Sequence, residues 1–150
     1  MTFKKLFVNC AYKIEFQEVG NDVDYAFVED KDTLYIYFQD SHGSKVDWRH
    51  NFSFWKKPYK DMKDPYRVHA GFMKCWKQVQ DIVINKITEK NAATGEYKWN
   101  RIYTIGYSHG GALAAFCHEC VWFYRADIAD KCWGIAFEAP RIYAGLMMRK

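Results

Sequence analysis

The stretch "RIYTIGYSHGGALAAF", Arg101 to Phe116, constrains the fold more than any other. A short β-branched and aromatic run passes, with no polar loop between, into a serine boxed by glycines and then a run of small and apolar residues. That reads as a strand handing over to a helix within a residue or two. On so sharp a turn, side chains two residues before and after the serine would collide with neighbouring backbone. Gly106 and Gly110 stand at those two places around Ser108. A serine held there is presented at the top of a sheet, and the helix behind it points free N–H groups at any negative charge forming nearby. The His109 N–H is then one donor to an oxyanion. The plainer reading is a Gly-rich turn packing helix on strand, with Ser108 as an N-cap.

The surrounding chain supplies an α/β context. Thr2 caps a first helix in "MTFKKLFVNCAY". "DVDYAFVED" and "TLYIYFQD" are β-rich runs with a charged turn at 30–32 between them, read as an antiparallel pair or as neighbours in one sheet. The residues from Asp40 to about His50, and the Pro-punctuated stretch to about Tyr66, are expected as loops. "HAGFMKCWKQVQDIVINKITEK" places Phe72, Cys75, Trp76, Val79, Ile82, Val83 and Ile87 on one helical stripe. "NAATGEY" breaks it, Ser108 to about Arg125 is helical, and "CWGIAF" is a further strand. Helix, strand, helix, strand in the second half implies parallel strands with crossover helices, in one domain.

Composition narrows the function classes. At 150 residues the chain can bury one sizeable core. Its net charge of +4 is spread out, and the densest basic stretch, "KKPYKDMKDPYR", carries Asp61, Asp64 and two prolines. That is a solvated loop, with no recognition helix or finger beside it, so nucleic acid is not an expected partner. No apolar run approaches a membrane span. No signal-peptide pattern is present, and five cysteines are an odd number, which favours a reduced, intracellular setting over a secreted one. Cys117 and Cys120 lack a convincing set of further metal ligands and read as small buried side chains at i and i+3. Aromatics reach 19%, read mainly as core filling, with the sharper alternative that some line an apolar cleft.

"GYSHGGALAAF" closely resembles the elbow of the class 3 (fungal-type, triacylglycerol) lipases, written G-H-S-L-G-G-A-L-A in that family. Three more stretches resemble the family in order: "YIYFQDSHGSKVDW", "VHAGFMKCW" and "IAFEAPRIY". The resemblance runs from about Thr33 to Tyr143 and implies an α/β-hydrolase fold with a mostly parallel sheet. It implies Ser108 as nucleophile, and Ser41 and His109 as oxyanion-hole donors. It also implies a lid in the loop 42–50, with His42 and Trp48. Gln39-Asp40 stands where the family has Arg-Gly, and Glu138 where it has Gly.

A serine hydroxyl needs a base, and the base an acid to orient it. In this fold class both follow the serine in the chain, yet the residues after Ser108 hold one further histidine beyond the adjoining His109. That is His118, ten residues along the serine's own helix and roughly 15 Å away. His69 falls on a structural histidine of the family, and His42 as base would be an unusual arrangement. The resemblance places acid and base beyond "APRIY". The expectation is therefore the N-terminal part of a C-terminally incomplete hydrolase, with acid and base on a missing segment or a second chain. Three functions stay open: a carboxylic ester hydrolase acting on a small-molecule or lipid ester, a different serine chemistry on the same elbow, or a catalytically inactive binding module. None of them needs a metal or organic cofactor.

Overall fold

The computed structural model describes residues 2–9, 15–19, 23–39, 56–58, 67–107 and 109–137. The Thr2 hydroxyl accepts from Lys5 N–H at 3.2 Å, capping α1 (Phe3–Val8) where the sequence marks it. Next come β1 (Gln17–Val19), β2 (Val23–Asp30) and β3 (Thr33–Gln39), a consecutive antiparallel set. Lys31, at the β2–β3 turn, takes a left-handed φ of 56°. The chain continues through a small hairpin of β4 (Lys56–Pro58) and β5 (Arg67–His69) into α2 (Ala70–Ile87). It then runs through β6 (Arg101–Tyr107), α3 (His109–Tyr124), a 3-10 turn (Ala126–Lys131) and β7 (Cys132–Phe137).

The hairpin corrects the expectation of an unbroken loop from His50 to Tyr66. Three-residue strands are too short for alternation to register in sequence. Pro58 sits at the end of β4, where a missing N–H costs little of the ladder. The 3-10 turn was likewise not foreseen.

The main sheet has the order β1-β2-β3-β6-β7, antiparallel in its first three strands and parallel across β3, β6 and β7. From β3 to β6 to β7 the chain steps in one direction, and right-handed crossovers then put both connecting helices on one face. That face is the larger core. Leu34, Ile36 and Phe38 of β3 and Ile102 of β6 meet the α2 stripe of Phe72, Trp76, Val79, Val83 and Ile87. Tyr35, Tyr37 and Ile105 point the other way, to Leu6 of α1 and Ala26. Alternate residues of each strand thus serve two cores, the period-2 rule at work.

Helix α3 is apolar nearly all round, which suits a helix packed between α2 and the sheet. Ala112, Leu113, Ala114, Phe116, Cys117, Cys120 and Val121 are all buried. Cys75 and Cys132 are buried thiols as well, so the cysteines of this region are packing residues. Apolar surroundings push the Cys117 thiol well above its usual pKa, with Cys120 and Cys132 adding to the effect. Trp76, Trp99, Tyr37, Phe38, Phe72 and Phe116 are among the largest fully buried side chains, so the high aromatic content does fill the core.

Arg125, just past α3, is fully buried. It donates to the carbonyls of Ile87 and Trp99, at 2.8 Å each, and through Nε and Nη2 to both carboxylate oxygens of Asp127. Its guanidinium also lies 3.9 Å from the centre of the Tyr97 ring. One side chain thus ties together the end of α2, the approach to β6 and the end of α3.

Candidate active site

Strand β6 ends at Tyr107 and α3 begins at His109, so one residue, Ser108, separates them. Ser108 lies outside the described residues, but the backbone on both sides of it is defined. A Cβ on Gly106 would overlap the Gly110 carbonyl and stand 2.6 Å from Gly111 N. A Cβ on Gly110 would overlap the Phe38 carbonyl and stand 2.8 Å from Gln39 N. Strand, helix and the end of the neighbouring strand therefore meet backbone to backbone, and both glycines are required by close approach. The first N–H groups of α3 have no partner within the helix and face the same corner.

The register fixes where this corner lies. Gly106 pairs with Phe38 on one side and Ala136 on the other, at the carboxyl ends of the three parallel strands. In open α/β sheets that end is where ligands bind. Strand β3 leaves the sheet at Gln39, beside Gly110, and carries the chain toward Ser41 and His42. Ser41, His42 and Trp48 lie outside the described residues, as do Asp40 and Glu138. For His109 the structure defines the backbone, as the first residue of α3.

Thr104 holds the elbow from below and was not singled out by its sequence. It is fully buried, and its hydroxyl donates to the Ala114 carbonyl of α3 at 3.2 Å. The available signal was a hydroxyl on the core-facing side of "RIYTIGY", between Ile102 and Gly106.

The described acids and histidine downstream of the serine sit elsewhere. His118 packs against Trp122, ring centres 5.6 Å apart, and close to Gly134 of β7. Its Nδ1 is buried without a partner, and burial holds its pKa below the usual histidine value. Asp127 is engaged by Arg125, whose hydrogen bonds hold its carboxyl below the usual range. That pair joins the Trp99 carbonyl, before the start of β6, so it lies at the opposite end of the strand from Gly106. Glu119 lines a half-open cavity of about 170 Å³ with Ala114, His118, Gly134 and Ala136, between α3 and β7 and below the elbow. Among the described residues, then, the structure brings the elbow and the β3 exit together and brings no acid–histidine pair to them.

The pattern of the class 3 lipases, "Lipase (class 3)", matches residues 35–143. Native Rhizomucor miehei lipase in its propeptide complex superposes with a TM-score of 0.66 at 18% identity, covering 86% of this chain and 42% of that one. The lipase of Rhizopus microsporus var. chinensis superposes at 0.61 with 22% identity, covering 82% and 42%. A triacylglycerol lipase whose catalytic centre is formed by a serine protease triad gives 0.66 at 18%, covering 86% and 49%. No curated protein sequence matches the chain. The chain spans less than half the length of these solved lipases. With a family match over more than half of its residues and the elbow backbone built as described, the chain belongs to the class 3 lipase family.

Proposed function

We propose that this chain carries the nucleophile half of a serine carboxylic ester hydrolase, with Ser108 attacking the acyl carbon of a small-molecule or lipid ester. The observation that carries the reading is the glycine contact: Gly106 against Gly110, and Gly110 against the end of β3. It is the backbone arrangement that a strained strand–serine–helix turn requires. The lipase membership of the chain and the triad in the solved triacylglycerol lipase support the same chemistry. In this reading the Ser108 oxygen bonds to the acyl carbon as a base takes its proton. The carbonyl oxygen takes up the charge, facing the N–H of His109 and that of Ser41. Collapse expels the alcohol, and water then releases the acid. The base and its acid come from outside the described residues, from His42 or from polypeptide other than residues 1–150. His42 and Trp48 belong to a lid over the cleft.

A second reading has a specific observation behind it. His118 is turned into the α3–β7 packing and Asp127 is held by Arg125, so the described residues provide no proton acceptor for the serine. That favours a catalytically inactive module of the same fold. Incubation of the 150-residue protein and its Ser108→Ala variant with a fluorophosphonate, read by intact mass and peptide mapping, tests the first reading. A stoichiometric adduct on Ser108 supports the hydrolase. A folded chain with no adduct on Ser108 refutes His42 as the base and leaves either the inactive module or a hydrolase whose base lies on polypeptide other than residues 1–150.

A further inference from the structure

We infer that Thr104 is a positioning residue for Ser108: its hydroxyl fixes the height and axial position of α3 over β6, and through them the serine and the His109 N–H. The inference rests on the ester-hydrolase reading for its effect on rate, and on packing alone for its effect on α3. Thr104 is fully buried, in a region where the neighbouring Ile102, Ile105, Leu113 and Phe116 are buried and apolar. A hydroxyl taken out of water is a cost that valine, of nearly the same shape, would avoid. Stability alone therefore does not call for threonine here. What the hydroxyl adds is a directional bond.

Strand β6 and helix α3 meet at two successive levels. At the upper one, a Cβ on Gly106 would overlap the Gly110 carbonyl and crowd Gly111 N. Thr104 stands two residues before Gly106, on the same face of the strand as Ile102. Ala114 stands one turn beyond Gly110 on the helix. Between these two lies the lower level: the Thr104 hydroxyl donates to the Ala114 carbonyl at 3.2 Å, with the Trp133 carbonyl of β7 farther off at 3.5 Å. The glycines permit close approach, but they and Ala114 carry too little side chain to lock the helix by shape. A hydrogen bond depends on both distance and angle, so the lower level supplies the register that the upper one lacks. Ala114 lies five residues beyond His109, about 7.5 Å along the axis. One residue joins β6 to α3, so a shift of the helix passes directly to the turn that holds Ser108. At a reacting group a misplacement of about 1 Å costs on the order of a hundredfold in rate.

Thr104→Val and Thr104→Ser in the 150-residue protein test the inference, with circular dichroism to monitor folding. Two quantities are read: the backbone amide resonances of His109 to Ala112, and the rate of fluorophosphonate labelling at Ser108. Thr104→Val is expected to stay folded, to move those resonances, and to slow labelling about tenfold or more. Thr104→Ser, which keeps the hydroxyl, is expected to hold both near wild type. The inference is overturned by a Thr104→Val that leaves the resonances in place or labels as fast as wild type. A Thr104→Ser as perturbed as the valine variant overturns it too. So does a Thr104→Val that unfolds while Thr104→Ser folds, because the residue then serves stability and not position. A wild type that takes no label bears on the base of the proposed hydrolase, and the resonances then decide the placement of α3 by themselves.

Discussion

Gly106 and Gly110 stand so close that neither has room for a Cβ: the first would run into the Gly110 carbonyl, the second into the Phe38 carbonyl. The turn holding Ser108 is therefore clamped between its own two glycines and the end of β3. Relief of either contact requires backbone to move, because no flexible side chain lies in the way. Gly106→Ala and Gly110→Ala should each cost about 3 kcal/mol of stability. Gly95→Ala, at an exposed tip with nothing near its Cβ but with φ +71, should cost about 1 kcal/mol. Denaturant midpoints of the three variants check the order, and equal midpoints would refute the clamp.

Trp76 links the elements that build this corner. Its ring lies 6.3 Å from that of Phe116 on α3 and 6.4 Å from that of Phe38 at the end of β3. Trp76→Ala should cost about 3–5 kcal/mol by opening a cavity at the junction of α2, α3 and β3. Fluorophosphonate labelling should fall with it, if the wild type labels. Trp133→Ala, whose ring is part-exposed on the other face, should cost much less.

Arg125 should resist conservative exchange. Its planar fork bonds two carbonyls and a carboxylate at once, a geometry that lysine cannot reproduce. Arg125→Lys should lose about 2 kcal/mol and Arg125→Ala about 3 kcal/mol, the latter leaving buried carbonyls unpaired. Asp127→Asn should cost less, its carboxylate being half exposed. The Asp127 pKa is depressed in the fold, so the contribution of its ion pair is complete above the unfolded value of 3.8. It is lost as the pH falls through the lower folded value. Acid unfolding of Asp127→Asn against the wild type measures that share.

His118 should make stability depend on pH in a second, higher window. Burial depresses its pKa, so the fold holds it neutral while the unfolded chain takes up a proton near pH 6.5. Stability is then complete above 6.5 and declines as the pH falls below it, until the depressed folded pKa is reached. His118→Leu should flatten the decline between about pH 7 and pH 5. Gly134→Ala should destabilise by about 1–3 kcal/mol, since its Cβ would stand 2.8 Å from His118 Cγ. His118→Ala in the same chain should relieve much of that loss. Additive costs in the double-mutant cycle would refute the contact.

Much of the frame was legible in sequence because it rests on local signals. The α2 stripe, the Thr2 cap, the antiparallel pairing of β2 with β3, and the strands "RIYTIGY" and "CWGIAF" all emerged where periodicity and capping place them. The β4–β5 hairpin was not legible, since three residues carry no usable period. Nothing in the local sequence marks Arg125 as a buried cation. Its partners, Ile87 and Trp99, lie 38 and 26 residues away and reach it only after α2 and β6 have packed.

What the sequence determined by itself is the strand-to-helix turn at Ser108, because Gly-x-Ser-x-Gly states the steric demand of that turn within five residues. What only the tertiary structure decided is which distant groups share the corner. The parallel register of β3 with β6 sets Phe38 against Gly110, and α3–β7 packing turns His118 away toward Gly134. Such neighbours are fixed by sheet order and helix crossing. No local pattern encodes either, because the residues involved meet only when separate elements have docked.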